Sequence, residues 1–245
     1  MPISSLRCLP SVLLISVVCT FVMTGCVTTK SHPRAFEAKK VALVNYSAPV
    51  SLLGGQGVVG LVQSLQNEWG KQIGDEVYRK VVDRLGTAMS VKVLSPKKVT
   101  GNKAYKKVHS QMTPDTSIYY APHKIRPLQL TSDHERLVFA HLASELKVDA
   151  VILLEISFSL QKGSSYKPEY GEVTMRIDMY ASDGTLLYQQ VAFGKAIPKH
   201  TAGSVGKSLF LGAMDKDIVK DTFLRASLDA VDTISKEWSK AQSGR

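Results

Sequence analysis

Ala150–Leu160 (AVILLEISFSL) is the most apolar stretch beyond the N-terminal leader, and it constrains the fold more than any other segment. A run this rich in Ile, Leu and Phe predicts a central strand with one face wholly buried. A sheet must form around it. Glu172–Tyr180 supplies a neighbour, with Val173, Met175, Ile177 and Met179 facing one way and Thr174, Arg176, Asp178 and Tyr180 the other. Asp183-Gly184 then marks a tight hairpin turn, because such turns need a positive φ that Gly tolerates, and Thr185–Phe193 reads as the return strand.

Helices are needed to cover that sheet. Leu61, Leu65, Trp69, Ile73, Val77, Val81 and Leu85 recur every four residues, with Val62 and Val82 broadening the stripe and Gly86 at the expected helix end. Val219, Phe223, Leu224, Leu228, Val231, Ile234 and Trp238 form a second stripe in a helix from about Asp215 to Lys240. Ser132-Asp-His-Glu135 has capping-box spacing before a shorter apolar helix containing Leu137, Val138, Leu142 and Leu146. Two short strands precede these elements, Val41–Tyr46 and Val91–Pro96, the second stopped by its proline. Residues 100–131 hold three prolines and read as a long irregular loop. The predicted order is β-α-β-α-β-β-β-α. It implies an α/β (α+β) domain over residues 41–242, a mixed sheet with helices packed on it in two or three layers.

The leader has a different character. Met1–Arg7 carries Arg7 and no acid, and the apolar run Leu9–Met23 falls short of the roughly 20 residues that span a bilayer. It fits a signal peptide over residues 1–25. Met23-Thr24-Gly25-Cys26 resembles a bacterial lipobox, in which the Cys thiol is acylated and the chain is cut before it. Cys26 is then the lipid-attachment residue and residues 26–40 a polar, lipidated tether. Cys8 and Cys19 lie in the removed segment, so the mature domain has no disulfide and relies on its own core. Two or more acyl chains suffice for stable attachment. Val27, rather than Asp, after Cys26 favours the outer membrane by resemblance to enterobacterial sorting.

The chain carries a formal charge of +10, and loss of Arg7 with the leader leaves +9. Such a charge predicts an anionic neighbour: membrane head groups, a cell-wall polymer or an acidic partner protein. Export argues against nucleic acid, and no basic–aromatic binding motif occurs. Lysines are densest at Lys97-Lys98 and Lys103–Lys107.

VALVNY, the first long helix, VKVLSP, LASELKVDAVILLEISFSL and GEVTMRIDMYASDGTLLYQQVAF together resemble envelope lipoproteins with a TolB-N-terminal-like, anticodon-binding-like α/β domain. The curli secretion lipoprotein and LpoB-type activators of penicillin-binding proteins are of this kind. The resemblance covers most of residues 40–240 and implies a domain that docks or assembles, without catalytic residues to transfer. The curli relative forms a channel by adding amphipathic hairpins. The insertions available here, Thr100–Thr131 and Lys195–Met214, lack two alternating strands of about 9–11 residues.

Other motifs are weak. Gly55-Gln-Gly57-Val-Val-Gly60 matches a dinucleotide fingerprint, but eight residues separate Tyr46 from Gly55 and the second strand ends without a ribose-binding acid. Gly203-Ser-Val-Gly-Lys-Ser208 has two residues between its glycines where a phosphate loop has four. The histidines show no metal template, and His141 reads as a partly buried, satisfied side chain. Asp178 reads as sheet surface and Asp183 as turn, with no carboxylate pair poised for acid–base work. No catalytic, cofactor or metal residues are therefore assigned. Tyr119, Tyr120, Lys124 and Arg126 form the best candidate recognition surface, since aromatics and Arg are enriched at interface hot spots.

The sequence thus predicts a non-enzymatic, membrane-anchored lipoprotein facing the periplasm, binding an envelope partner in secretion, cell-wall or appendage machinery. The alternatives are an oligomeric ring or channel built from copies of this chain, and a cell-wall or lipid hydrolase with a loop-assembled site.

Overall fold

The computed structural model describes residues 29–48, 50–51, 59–112, 124–125, 127–128, 130, 132–161, 170–197 and 216–244. Seven strands form one mixed sheet: β1 (Lys30–Ser31), β2 (Lys40–Ser47), β3 (Val50–Ser51), β4 (Lys92–Val93), β5 (Ala150–Gln161), β6 (Tyr170–Tyr180) and β7 (Leu186–Ala196). Their order is β1-β7-β6-β5-β2-β4, with β3 also pairing β5. β2 runs parallel to β4 and β5, whereas β5, β6, β7 and β1 are successively antiparallel. The apolar run Ala150–Leu160 is therefore central, as its composition requires.

One face of the sheet carries two long helices, α1 (Val59–Ala88) and α6 (Lys216–Ser243). Ile152, Leu154, Ile156 and Phe158 of β5 and Val173, Met175, Ile177 and Met179 of β6 pack there against Val77, Val81 and Leu85 of α1 and Phe223, Val231, Ile234 and Trp238 of α6. These are the period-two stripe and the described parts of the helical stripes meeting each other, while Leu61, Leu65, Trp69, Ile73 and Val219 lie outside the residues whose side chains are described. β7 allows α6 unusually close through Gly194, where a Cβ would lie 1.9 Å from the Ala226 carbonyl oxygen.

Among the described residues, the other face is covered over only half its width. Four short helices, α2 (Pro96–Gly101), α3 (Lys103–Gln111), α4 (Asp133–Val138) and α5 (Leu142–Leu146), bury Ala42 and Val44 of β2 and Val151 and Leu153 of β5. The described residues thus make three layers at β2–β5 and two at β6–β7, where Phe193 is 51% exposed.

Several sequence expectations need correction. Residues 30–40 are not a free tether: β1 pairs with β7, and a 3-10 turn (Pro33–Glu37) buries Ala35. The irregular segment does not begin at residue 100, because α2 and α3 occupy its first third. Pro96 does not simply end a strand. It opens α2 at the first helical position, where its missing N–H costs nothing, and the strand shrinks to Lys92–Val93. The capping box forms on Ser132 and Glu135, but the helix behind it breaks at 139–141 into α4 and α5.

Candidate functional site

α3 is fixed to the sheet by its inward face. Asn102 caps it by accepting from the backbone N–H groups of Ala104 and Tyr105. Tyr105 and His109, one turn apart, point into the second core with ring centroids 4.0 Å apart. His109 stands edge-on to Phe139, and its Nε2 is 3.1 Å from the Val44 carbonyl oxygen on β2. Anchored this way, α3 turns Lys103, Lys106 and Lys107 outward, while α2 exposes Lys97 and Lys98.

A second device brings Lys124 to the same place. The buried Asn45 side chain accepts from Leu128 N–H at 3.0 Å and donates to the Leu128 carbonyl at 3.4 Å, where β2 breaks register with β5. That clamp buries Ile125 and Leu128 and leaves Lys124 exposed in a left-handed conformation (φ 67°). Lys97, Thr100, Lys106, Ser110 and Lys124 then line an open groove of about 880 Å³, with Tyr105 and His109 in its floor. None of the exposed lysines named here forms an ion pair with a described residue. Residues 92–132 contain seven Lys and one Arg against a single acid, Asp115, so most of the chain's positive excess falls in this stretch of sequence.

The expected recognition residues are only partly located. Lys124 joins the groove, while Tyr119, Tyr120 and Arg126 lie outside the described residues, as do Cys26 and the glycines Gly55, Gly57 and Gly203. His141 is not partly buried; it is exposed at the start of α5 and makes no capping bond. Among the described histidines the buried one is His109, whose place one turn after Tyr105 on a lysine-rich stretch gave little warning.

Asp178 is not at the sheet surface. It is fully buried, with Arg136 Nη1 donating to Oδ2 at 2.6 Å, Arg176 Nε at 3.0 Å and Gln189 Nε2 donating to Oδ1 at 3.0 Å. The other Arg136 terminal nitrogen reaches both Glu155 oxygens at 3.0 Å and the Leu130 carbonyl at 3.2 Å. Burial opposes the charge on Arg136, but Glu155 and Asp178 outweigh it and raise the guanidinium's affinity for its proton. Tyr180 beside them is pushed up to about 12, first by burial and then by Asp178. The sequence signal was Glu155, one charge inside an otherwise apolar central strand. Its carboxylate is occupied by Arg136, so the cluster ties α4 to the sheet rather than offering a free acid or base.

No group of His, Cys, Asp and Glu among the described residues is arranged to hold a metal ion. No described helix is long and apolar enough to cross a membrane. No family model matches the chain, and no curated protein does. It is similar to the solved structure of the hypothetical protein CT253 from Chlamydia trachomatis, at 14% identity and a TM-score of 0.37, over 81% of this chain and 96% of that one. The fold described above rests on the chain's own strands and helices, not on that likeness.

Proposed function

We propose that this chain is a bacterial lipoprotein, acylated at Cys26, whose α/β domain faces the periplasm from the outer membrane and serves as a non-enzymatic binding or assembly module of the envelope. One observation carries the reading. The sequence carries a signal-peptide pattern and a lipobox ending at Cys26, and the first described strand starts only four residues later, at Lys30. Cleavage before Cys26 leaves a chain whose first described strand starts four residues after its anchor in sequence. The resemblance to TolB-N-terminal-like envelope lipoproteins supports the same reading, as does the concentration on α2 and α3 of lysines without an ion pair to any described residue, which suits docking.

The test is metabolic labelling with palmitate, followed by membrane fractionation and in-cell crosslinking of wild type and Cys26→Ser. The expected result is a labelled protein in the outer membrane, linked to a defined envelope partner, with label and membrane association both lost in the variant. Equal membrane retention without label would refute the anchor. Self-links alone would favour ring assembly.

A further inference from the structure

We infer that the open edge of β7 is the docking site for the residues just before β1. Cys26–Thr29 completes β1 as a longer strand and seats the lipid-attachment residue opposite Phe193. That Cys26 begins the chain rests on the lipoprotein reading above; the pairing of the residues after it does not.

β1 and β7 are antiparallel, with Lys30 opposite Gln189 and Ser31 opposite Tyr188. The His32 N–H donates to the Leu187 carbonyl at 2.7 Å, so the odd-numbered residues of β7 turn their backbone groups away from β6. Further along, that edge is closed by α6. Asp229 accepts from the Lys195 N–H at 3.1 Å, and Arg225 Nη2 donates to the Ile197 carbonyl at 2.8 Å. Between the two ends, Val191 and Phe193 present their N–H and C=O groups outward, and no described residue pairs with either on that side. An open length of strand edge is a template for another strand.

The register of β1 says which strand. Run backward from Lys30, it sets Thr29 opposite Gln190, Thr28 opposite Val191, Val27 opposite Ala192 and Cys26 opposite Phe193. Thr28 and Cys26 therefore fall in the hydrogen-bonded positions that Val191 and Phe193 leave open. The free edge ends at Phe193, and a chain cut before Cys26 ends with it. Alternation also fits, since Val27 falls on the α6 side with the buried Ala192, and Thr28 on the open side with Val191. Val and Thr are strand formers.

Two polar atoms support the same pairing. Thr29 Oγ1 and Gln190 Nε2 are both buried without a hydrogen bond among the described residues, although the register makes the two residues cross-strand neighbours. Closing the strand against β7 gives the Gln190 amide the Thr29 hydroxyl as an acceptor and removes a costly pair of orphans. Covalent continuity favours this occupant over a second copy or a foreign strand, which would bear the entropy of association.

The experiment is residue-resolved hydrogen exchange on the mature, acylated chain in detergent micelles, comparing wild type with Thr28→Pro. Proline removes the N–H that would meet the Val191 carbonyl, and its ring opposes close approach. The Val191 and Phe193 amides should be protected in wild type and exchange at least about tenfold faster in the variant. Ala192 and Gly194, whose N–H groups face β6, should be unchanged and so report intact folding. Fast exchange of Val191 and Phe193 already in wild type would overturn the inference, as would protection that survives Thr28→Pro. Protection that falls on dilution, with dimers in sedimentation, would give the edge to a second copy instead. The intact mass of the purified chain reads cleavage and acylation separately. An uncleaved or unacylated chain would refute the anchor, while exchange at Val191 and Phe193 would still decide the pairing.

Discussion

Replacing Arg136 with Met keeps most of the aliphatic stem that packs beneath α4 but removes three sets of contacts at once. Arg136 is 5% exposed, and its loss leaves the Asp178 carboxylate, which is 0% exposed, with Arg176 and Gln189 as its remaining partners. Glu155, 25% exposed, turns to solvent at small cost, while the Leu130 carbonyl loses its donor. Removing one member of a buried pair costs about 3–5 kcal/mol. The two retained partners of Asp178 place this case near the lower end, about 3 kcal/mol. For a domain of this size that corresponds to a fall in Tm of roughly 6–12 °C. Urea unfolding of Arg136→Met should show a lower midpoint with an unchanged slope. Arg136→Met/Asp178→Leu removes the stranded charge as well and should recover much of the loss. A single variant within about 1 kcal/mol of wild type, or a double variant no better than the single, would refute the view that Arg136 neutralises a buried acid.

Three further predictions follow from local geometry. Gly194→Ala drives a methyl group into the α6 backbone at Ala226 and Ala230 and should cost at least about 3 kcal/mol in urea unfolding, whereas Gly171→Ala meets the Thr222 methyl and should cost less. Lys147 ends α5 in the left-handed region (φ 53°), so Lys147→Gly should raise stability by up to about 1 kcal/mol, read as a higher unfolding midpoint. Asp183 is held well below the usual carboxylate range, first by Arg34 at 2.8 Å and then by the Thr185 backbone N–H. Its contribution is therefore complete above the unfolded value of about 4 and disappears as pH falls through the lower folded value. Asp183→Asn should lower thermal stability at neutral pH, and the difference from wild type should shrink toward pH 2.

Export and anchoring, as expectations, come from the first 26 residues alone, because signal-peptide and lipobox patterns are read in an extended chain without reference to a fold. The central strand, the hairpin and the two long helices were legible for a related reason. Each buries one face over its described side chains, and burial of a face writes a period of two or of 3.6 into the residues themselves. α2 and α3 escaped because they bury little: Val99, Tyr105 and His109 are the inward residues of a stretch otherwise dominated by lysine and polar groups. Their helicity is decided by the second core into which those three side chains fit, and local propensity is too weak to announce it.

The same division explains the ionic cluster and the groove. Glu155 and Asp178 lie 19 and 42 positions from Arg136, and only the pairing of β5 with β6 brings the two acids beneath one guanidinium. Lys124 reaches the α2–α3 lysines because Asn45 clamps Leu128, 83 residues away, back onto β2. The sequence by itself determined which side chains had to leave water, and its lipobox pattern carries the proposal of an anchor at Cys26. The tertiary structure decided which charges became neighbours, because charge proximity between distant segments depends on sheet register and chain crossings, and those leave no periodic mark in any one segment.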